Sequence, residues 1–227
     1  STKIKNQSLC YLCKTDQPEN RVITFLFRLN TMDISKIKAV VFDCDGVMFD
    51  TAEANRKYYD EVLSLFTKPP LTQEQFVMVH MMTVKAAIEY LFPEKKDLTQ
   101  VFECLKNIGY HKFIKYMIME TGLRELLSNL KKNHLIRGVA TNRTNTMEKV
   151  LADYNLDDDF EVVITAAKVK KPKPDPECLN VIKDQFRLKS RQIIFIGDSE
   201  YDQIAAQKAD TWFISFKSEN LKGDFNV

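Results

Sequence analysis

The sequence predicts an α/β fold: a parallel sheet of five or more strands covered by helices, with a helical domain inserted after the first strand. Three observations carry this. Short apolar runs alternate with amphipathic helical stretches over most of the chain. Each run is 4–7 residues long and stops at a polar or glycine residue, the pattern of a strand buried on both faces. One stretch of about 70 residues, 51–120, breaks the alternation and holds helical patterns only.

The strands come first. Ala39-Val40-Val41-Phe42 is rich in β-formers and ends at Asp43 and Gly46. Leu135–Thr141, Phe160–Thr165, Ile193–Gly197 and Thr211–Ser215 repeat the theme. Between them, Leu123-Leu126-Leu127-Leu130 has the spacing of a one-sided helix. Thr144–Tyr154, Pro176–Phe186 and Asp202–Lys208 read as helices too. Strands joined by helices imply parallel pairing. In the insert, helices are expected at Ala52–Phe66, Thr72–Phe92, Leu98–Asn107 and Tyr110–Met119. Thr72 and Gln75 form a capping box just after Pro69-Pro70. The domain plan is therefore an α/β core at 32–50 and 121–227, a helical insert at 51–120, and an N-terminal appendage at 1–31.

Composition narrows the function. The 227 residues are 44% hydrophobic and 28% charged, values of a globular protein with a real core. The net charge of +2 gives no general reason to bind nucleic acid or an anionic membrane. No apolar run is long enough to span a bilayer. Five cysteines at 10, 13, 44, 104 and 178 make no disulfide framework, so a reducing, cytoplasmic setting is expected. Cys10 and Cys13 have no second pair or neighbouring His to complete a zinc site. The appendage is basic, with Lys3, Lys5, Lys14, Arg21 and Arg28 against Asp16 and Glu19, and lacks the pattern of a secretory signal.

Ligands of open α/β sheets bind at the carboxyl ends of the strands. There the sequence places Asp43, Asp45, Thr141, Asn142, the lysines of 168–173, Asp198 and Asp202. Two like charges 4 Å apart repel by about 4 kcal/mol at an effective dielectric near 20, so such an aspartate cluster calls for a cation. All-oxygen ligands suit Mg2+. A metal, a lysine, a hydroxyl and loop amides together favour a phosphate, beside which a carboxylate is a candidate nucleophile and a second one a candidate acid/base.

Asp43-Cys44-Asp45-Gly46-Val47-Met48-Phe49-Asp50 resembles the D-x-D-G-x-x-x-D motif of the haloacid dehalogenase-like (HAD) hydrolases. Val139-Ala140-Thr141-Asn142, Lys171-Pro172-Lys173-Pro174-Asp175-Pro176 and Gly197-Asp198-Ser199-Glu200-Tyr201-Asp202 resemble their second, third and fourth motifs, in family order. The resemblance implies a Rossmann-like core with an α-helical cap, as in the phosphoglycolate phosphatase-like and β-phosphoglucomutase-like branch. It implies Asp43 as nucleophile and metal ligand, and Asp45 as general acid/base with its main-chain carbonyl on the metal. Thr141 and the Asn142 amide would hold the phosphoryl group. Lys171, which opens K-P-x-P, would neutralise nucleophile and phosphate, with Lys170 and Lys173 as register alternatives. Asp198 would bind the metal and Asp202 would support it from behind. By resemblance the cofactor is Mg2+ and the partner a small phosphorylated metabolite, acted on by a monomer or homodimer. Asp45 separates this chain from the dehalogenase and phosphonatase branches, which lack a second aspartate there. A phosphatase is expected; a sugar phosphomutase or a catalytically retired binding module are the rival readings. The cap loop near Val79–Lys85 is expected to choose the substrate through His80, Thr83 and Lys85.

Overall fold

The computed structural model describes residues 34–80, 82–218, 221 and 223–226. The appendage, its Cys10–Cys13 pair and Met81 lie outside these residues. Contacts among the Cα atoms divide the chain into two compact units, which are described one at a time.

The first unit runs to Phe49 and continues through Met119–Met147 and Asn155–Val227. It is built on a six-stranded parallel sheet: β1 (Ala39–Phe42), β4 (Ile136–Thr141), β5 (Val162–Thr165), β6 (Ile193–Gly197), β7 (Trp212–Ser215) and β8 (Phe225–Asn226), in the order β5-β4-β1-β6-β7-β8. The five expected strands are all present, and the short β8 adds an edge. β1 is buried along its whole length because it pairs with β4 on one side and β6 on the other. Helices α5 (Leu123–Lys132), α7 (Glu177–Gln185) and α8 (Glu200–Ala209) connect the strands. Leu179 and Ile182 of α7 and Ala205, Ala206 and Ala209 of α8 meet Val41, Phe195 and Phe213 of the sheet. Each large apolar side chain so buried contributes on the order of 2 kcal/mol. The alanines keep α8 close to the strands, as their positions in the sequence suggest.

Register sets the functional edge. Phe42 pairs with Val139 and with Ile196, so β1, β4 and β6 end nearly level. The residues that follow them, Asp43, Asn142 and Asp198, therefore emerge at one edge of the sheet. The Asp43 amide still donates to the Ile196 carbonyl at 2.9 Å, so the sheet pattern holds the first residue of the loop.

The second unit comprises Asp50–Ile118 with Glu148–Tyr154. Its helices are α1 (Ala52–Leu65), α2 (Gln73–His80), α3 (Val84–Leu91), α4 (Thr99–Ile108) and most of α6 (Met147–Asp153). Tyr58 of α1 packs edge-on against Tyr110 and Phe113, with ring centroids 5.3 and 5.4 Å apart. The Thr72–Gln75 box is formed: each backbone amide donates to the other's side chain, at 3.0 and 3.2 Å. Asp50 accepts the Ala52 amide at 2.8 Å and starts α1. A two-stranded pairing of β2 (Phe49–Asp50) with β3 (Ile118–Met119) lies where the chain passes between the units.

Three expectations are corrected. The helix predicted over Thr72–Phe92 is two helices, because Thr83 takes an extended backbone and its hydroxyl accepts the Ala86 amide at 3.3 Å. A threonine gains more as a cap than inside a helix. The stretch predicted as a helix over Tyr110–Met119 is a tight 3-10 run at Tyr110–Tyr116 followed by β3, and its aromatic residues are weak helix formers. α6, read from the sequence as part of the core, gives Glu148–Tyr154 to the second unit, where the Tyr154 hydroxyl donates to the carbonyls of Ile114 and Met117.

Candidate active site

The site is assembled from four loops at one edge of the first unit's sheet. The β1 loop turns sharply: the Met48 and Phe49 amides both return to the Cys44 carbonyl, at 3.0 and 3.1 Å. Gly46 sits at φ +75°, and a Cβ there would stand 1.9 Å from Oδ2 of Asp198. Only glycine serves, because the turn needs the left-handed backbone and the β6 loop comes too close.

Asp43 is buried at 7% exposure. Its Oδ1 lies 2.8 Å from Lys173 Nζ, yet no donor meets it with hydrogen-bond geometry among the described residues. Lys173 Nζ also donates to Asp202 Oδ1 at 2.5 Å, so one buried ammonium joins two buried carboxylates. The other Asp202 oxygen accepts the Ser199 amide at 3.1 Å and its hydroxyl at 2.5 Å, while Ser199 Oγ accepts the Asp202 amide. This reciprocal box opens α8 and fixes Asp202 in its first turn.

The electrostatics follow from burial. Burial pushes the Asp43 carboxyl up to about 8, Lys173 pulls it down, and Asp202 and Asp45 push it up again. Asp198 is raised to about 7, by burial first and by Asp202 next. Although burial opposes it, the charge of Lys173 is held well above the ordinary lysine range by Asp202 and Asp43. One oxygen each of Asp43, Asp198 and Asp202 lies within 4.8 Å of the others. Oxygen donors, an Asp43 oxygen lacking a hydrogen bond and carboxyls raised by burial and, to a lesser degree, by one another all fit a hard divalent cation.

Lys171 does not reach this cluster. It is exposed, and its amide donates to Glu177 at 2.9 Å. Lys173 takes the place foreseen for it. The segment is a turn, closed by the Asp175 amide on the Pro172 carbonyl, and the Lys173–Pro174 peptide is cis. A signal for this was present: Lys173-Pro174-Asp175-Pro176 opens a second K-P-x-P, two residues after the first.

Asp45 is also placed differently from the expectation of a carboxylate offered to the reaction. Arg143 grips it with two parallel bonds, Nε to Oδ2 at 2.8 Å and Nη2 to Oδ1 at 2.6 Å. Nη1 of the same guanidinium donates to Thr146 at 3.0 Å. Sequence reasoning passed over Arg143, although it directly follows Thr141-Asn142. Thr141 is buried, and its hydroxyl accepts the Arg143 amide at 3.1 Å. The Asn142 side chain faces Lys173: Nδ2 donates to the Lys173 carbonyl and Oδ1 accepts its amide, both at 3.0 Å.

The three expected specificity residues lie in the second unit. Thr83 caps α3. Lys85 is exposed and faces Glu89 at 3.9 Å, one helical turn on. His80 ends α2, stacks on Phe76 with centroids 5.2 Å apart, and has Nδ1 3.3 Å from the Asn55 amide nitrogen.

With this geometry in view, the comparisons with known proteins are decisive. A family profile described as haloacid dehalogenase-like hydrolase matches residues 40–216. The chain belongs to the haloacid dehalogenase-like hydrolases. A HAD-superfamily hydrolase of Geobacter sulfurreducens has a similar solved structure, with 36% identity, a TM-score of 0.76, and coverage of 85% of this chain and 92% of that one. A phosphoglycolate phosphatase of Photorhabdus laumondii is 26% identical over 76% of this chain and 77% of its own. An N-acetylmuramic acid 6-phosphate phosphatase of Pseudomonas aeruginosa is 27% identical over 78% of this chain and 80% of its own. These relatives place the chain in the phosphatase branch of the family. Among the described residues, no helix is long and apolar enough to cross a membrane.

Proposed function

We propose that this HAD hydrolase is a Mg2+-dependent phosphatase that cleaves a small phosphomonoester through an aspartyl-phosphate on Asp43. One observation carries the reading: a single buried lysine, Lys173, neutralises Asp43 and Asp202 at the strand edge that also presents Asp198. Uncompensated, two buried carboxylates so close are strongly disfavoured; with Lys173 and a divalent cation they become a charged nucleophile beside a phosphate site.

Asp43, Asp198 and the main-chain carbonyl of Asp45 would hold the metal. It would supply Lewis-acid stabilisation of charge on the transferring phosphoryl oxygens. An Asp43 oxygen attacks phosphorus and the bond to the leaving oxygen breaks. Lys173 offsets the negative charge of both partners, while Thr141 and the Asn142 main-chain amide orient the phosphoryl group. Asp45 gives its proton to the leaving oxygen, then takes one from the water that hydrolyses the acyl phosphate. To do so Asp45 must leave the Arg143 fork, whose two donors are suited to an ionised carboxylate.

The relatives' names span a phosphoglycolate, an N-acetylmuramic acid 6-phosphate and a pyrophosphate phosphatase, so the shared core is compatible with several leaving groups. We assign selection among them to His80 and Lys85, with Thr83 acting through the α3 cap. The free cysteines Cys44, Cys104 and Cys178 suit a cytoplasmic location.

The test is phosphate release from a panel of phosphomonoesters, with Mg2+ and with EDTA, beside Asp43→Asn. Metal-dependent turnover lost in Asp43→Asn supports the reading. A folded protein that releases no phosphate from any ester, or an Asp43→Asn variant as active as the wild type, refutes it. His80→Ala and Lys85→Ala should reorder the substrates; an unchanged order removes them from selection.

A further inference from the structure

We propose that the side chain of Asn142 is a positioning residue for Lys173, and through it for the Asp43 carboxylate; this rests on the phosphatase reading. The carboxamide pairs with the backbone of Lys173 as a neighbouring strand would. Nδ2 donates to the carbonyl and Oδ1 accepts the amide, both at 3.0 Å, across 31 positions of sequence. Both polar groups of the Lys173 peptide backbone are thereby fixed at the end of β4. The four-carbon side chain then starts from a defined point and ends between Asp43 and Asp202, at 2.8 and 2.5 Å.

Such fixing matters for lysine more than for most residues. Its side chain is a flexible four-carbon stem ending in a charge with no directional preference. A second anchor lies two residues earlier, where the Glu177 carboxylate accepts the Lys170 and Lys171 amides at 2.9 Å each. The loop is thus held on both sides of Pro172, and the Asn142 clamp is the one at Lys173 itself. Asn142 also follows Thr141 directly, so the residue whose main chain would face the phosphoryl group also ties down the lysine that neutralises it. The chemistry of the clamp selects asparagine. It needs one donor and one acceptor on a short stem; aspartate offers two acceptors and would face the Lys173 carbonyl with no proton, and alanine offers nothing. Removing the hydrogen-bond partner that orients a metal ligand typically costs about 10–100-fold, and the same order is expected for a clamp on the lysine beside Asp43.

The experiment compares wild type, Asn142→Ala and the similarly shaped Asn142→Leu in hydrolysis of an activated aryl phosphate with Mg2+. Hydrogen exchange of the Lys173 amide is followed by NMR. The expected result is a kcat lower by about 10–100-fold with KM within about threefold of wild type, and a Lys173 amide that exchanges at least roughly tenfold faster. A raised KM, with or without a change in kcat, means that the side chain contacts substrate, and overturns the proposal. Unchanged kinetics, or unchanged protection of the Lys173 amide, overturns it as well. In a Lys173→Ala background, Asn142→Ala should remove less than about twofold of the residual rate, because positioning has nothing left to position; a further large loss shows that the residue acts elsewhere. Should Asn142→Ala fail to fold, Asn142→Leu, which offers neither donor nor acceptor, supplies each readout. An inactive wild type in which the variants still lose amide protection would sink the phosphatase reading while supporting the clamp.

Discussion

Lys173→Met is the most informative single change, with Lys171→Met as its partner. Methionine keeps most of the stem and removes the charge. At 2.8 Å from Asp43 and 2.5 Å from Asp202, the ammonium attracts each carboxylate, when that carboxylate is ionised, by about 6 kcal/mol at an effective dielectric near 20. Desolvation of three buried ions offsets most of this, so the measurable cost is that of a broken buried pair, about 3–5 kcal/mol. For a chain of this size that lowers the thermal midpoint by roughly 10 °C. On the proposed mechanism the catalytic loss should be larger than about 100-fold, since Lys173 would offset charge on the phosphoryl group and on Asp43 as nucleophile. Lys171 is exposed and its backbone, not its side chain, is used by Glu177. Lys171→Met should therefore stay within about 0.5 kcal/mol of wild type and keep nearly full activity. Phosphate release and thermal unfolding, run on both variants, decide the matter. A Lys171→Met protein that loses activity while Lys173→Met retains it would refute the electrostatic argument.

Gly46→Ala should cost at least about 1–3 kcal/mol and most of the activity, because its Cβ would stand 1.9 Å from Asp198 at a φ of +75°; a stable, active variant would show that the turn relaxes freely. Asp43 and Asp198, raised to about 8 and 7, hold protons in the folded metal-free protein that the unfolded chain releases near pH 4. Stability in EDTA should therefore fall as pH rises from about 4 to 8 and flatten above, and saturating Mg2+ should weaken that slope; urea midpoints at pH 5 and 8 with and without metal are the check, and a rise in EDTA would contradict the burial argument. Thr83→Ala should cost about 1 kcal/mol through loss of the α3 cap and leave kcat on the best substrate unchanged. A selective loss on one ester would instead make Thr83 a substrate contact.

The strands were readable because β1 and β6 are buried along their length and apolar throughout, and β4 is mostly apolar, broken by the buried, ion-paired Arg137; all three could be placed to within a residue or two. The aspartates after them were readable for a related reason. A single carboxylate at a strand end is commonly a cap or turn residue, as Asp50 is, but several together need a cation. The insert was harder. Its helices follow amphipathic spacing, yet Thr83 divides one of them by a cap that competes with helix continuation, and propensity alone does not decide that contest.

What the sequence concealed was pairing between loops. Asp45 and Arg143 are separated by 98 positions and Asn142 and Lys173 by 31, and nothing in local periodicity links them. The lysine shows the limit most sharply. Two overlapping K-P-x-P motifs occur, and in an extended strand Lys171 and Lys173 would point to the same side, so alternation cannot separate them. The segment is instead a turn, and its register is chosen by partners elsewhere: Glu177 takes the amides of Lys170 and Lys171, and Asn142 takes the backbone of Lys173. With Lys171 tied at its backbone to the start of α7, its side chain is left in solvent, and Lys173 is the lysine delivered to the carboxylates. The kinds of residue gathered at the strand edge were thus legible, while which lysine meets the carboxylates depended on hydrogen bonds made by an asparagine and a glutamate that the motif leaves open.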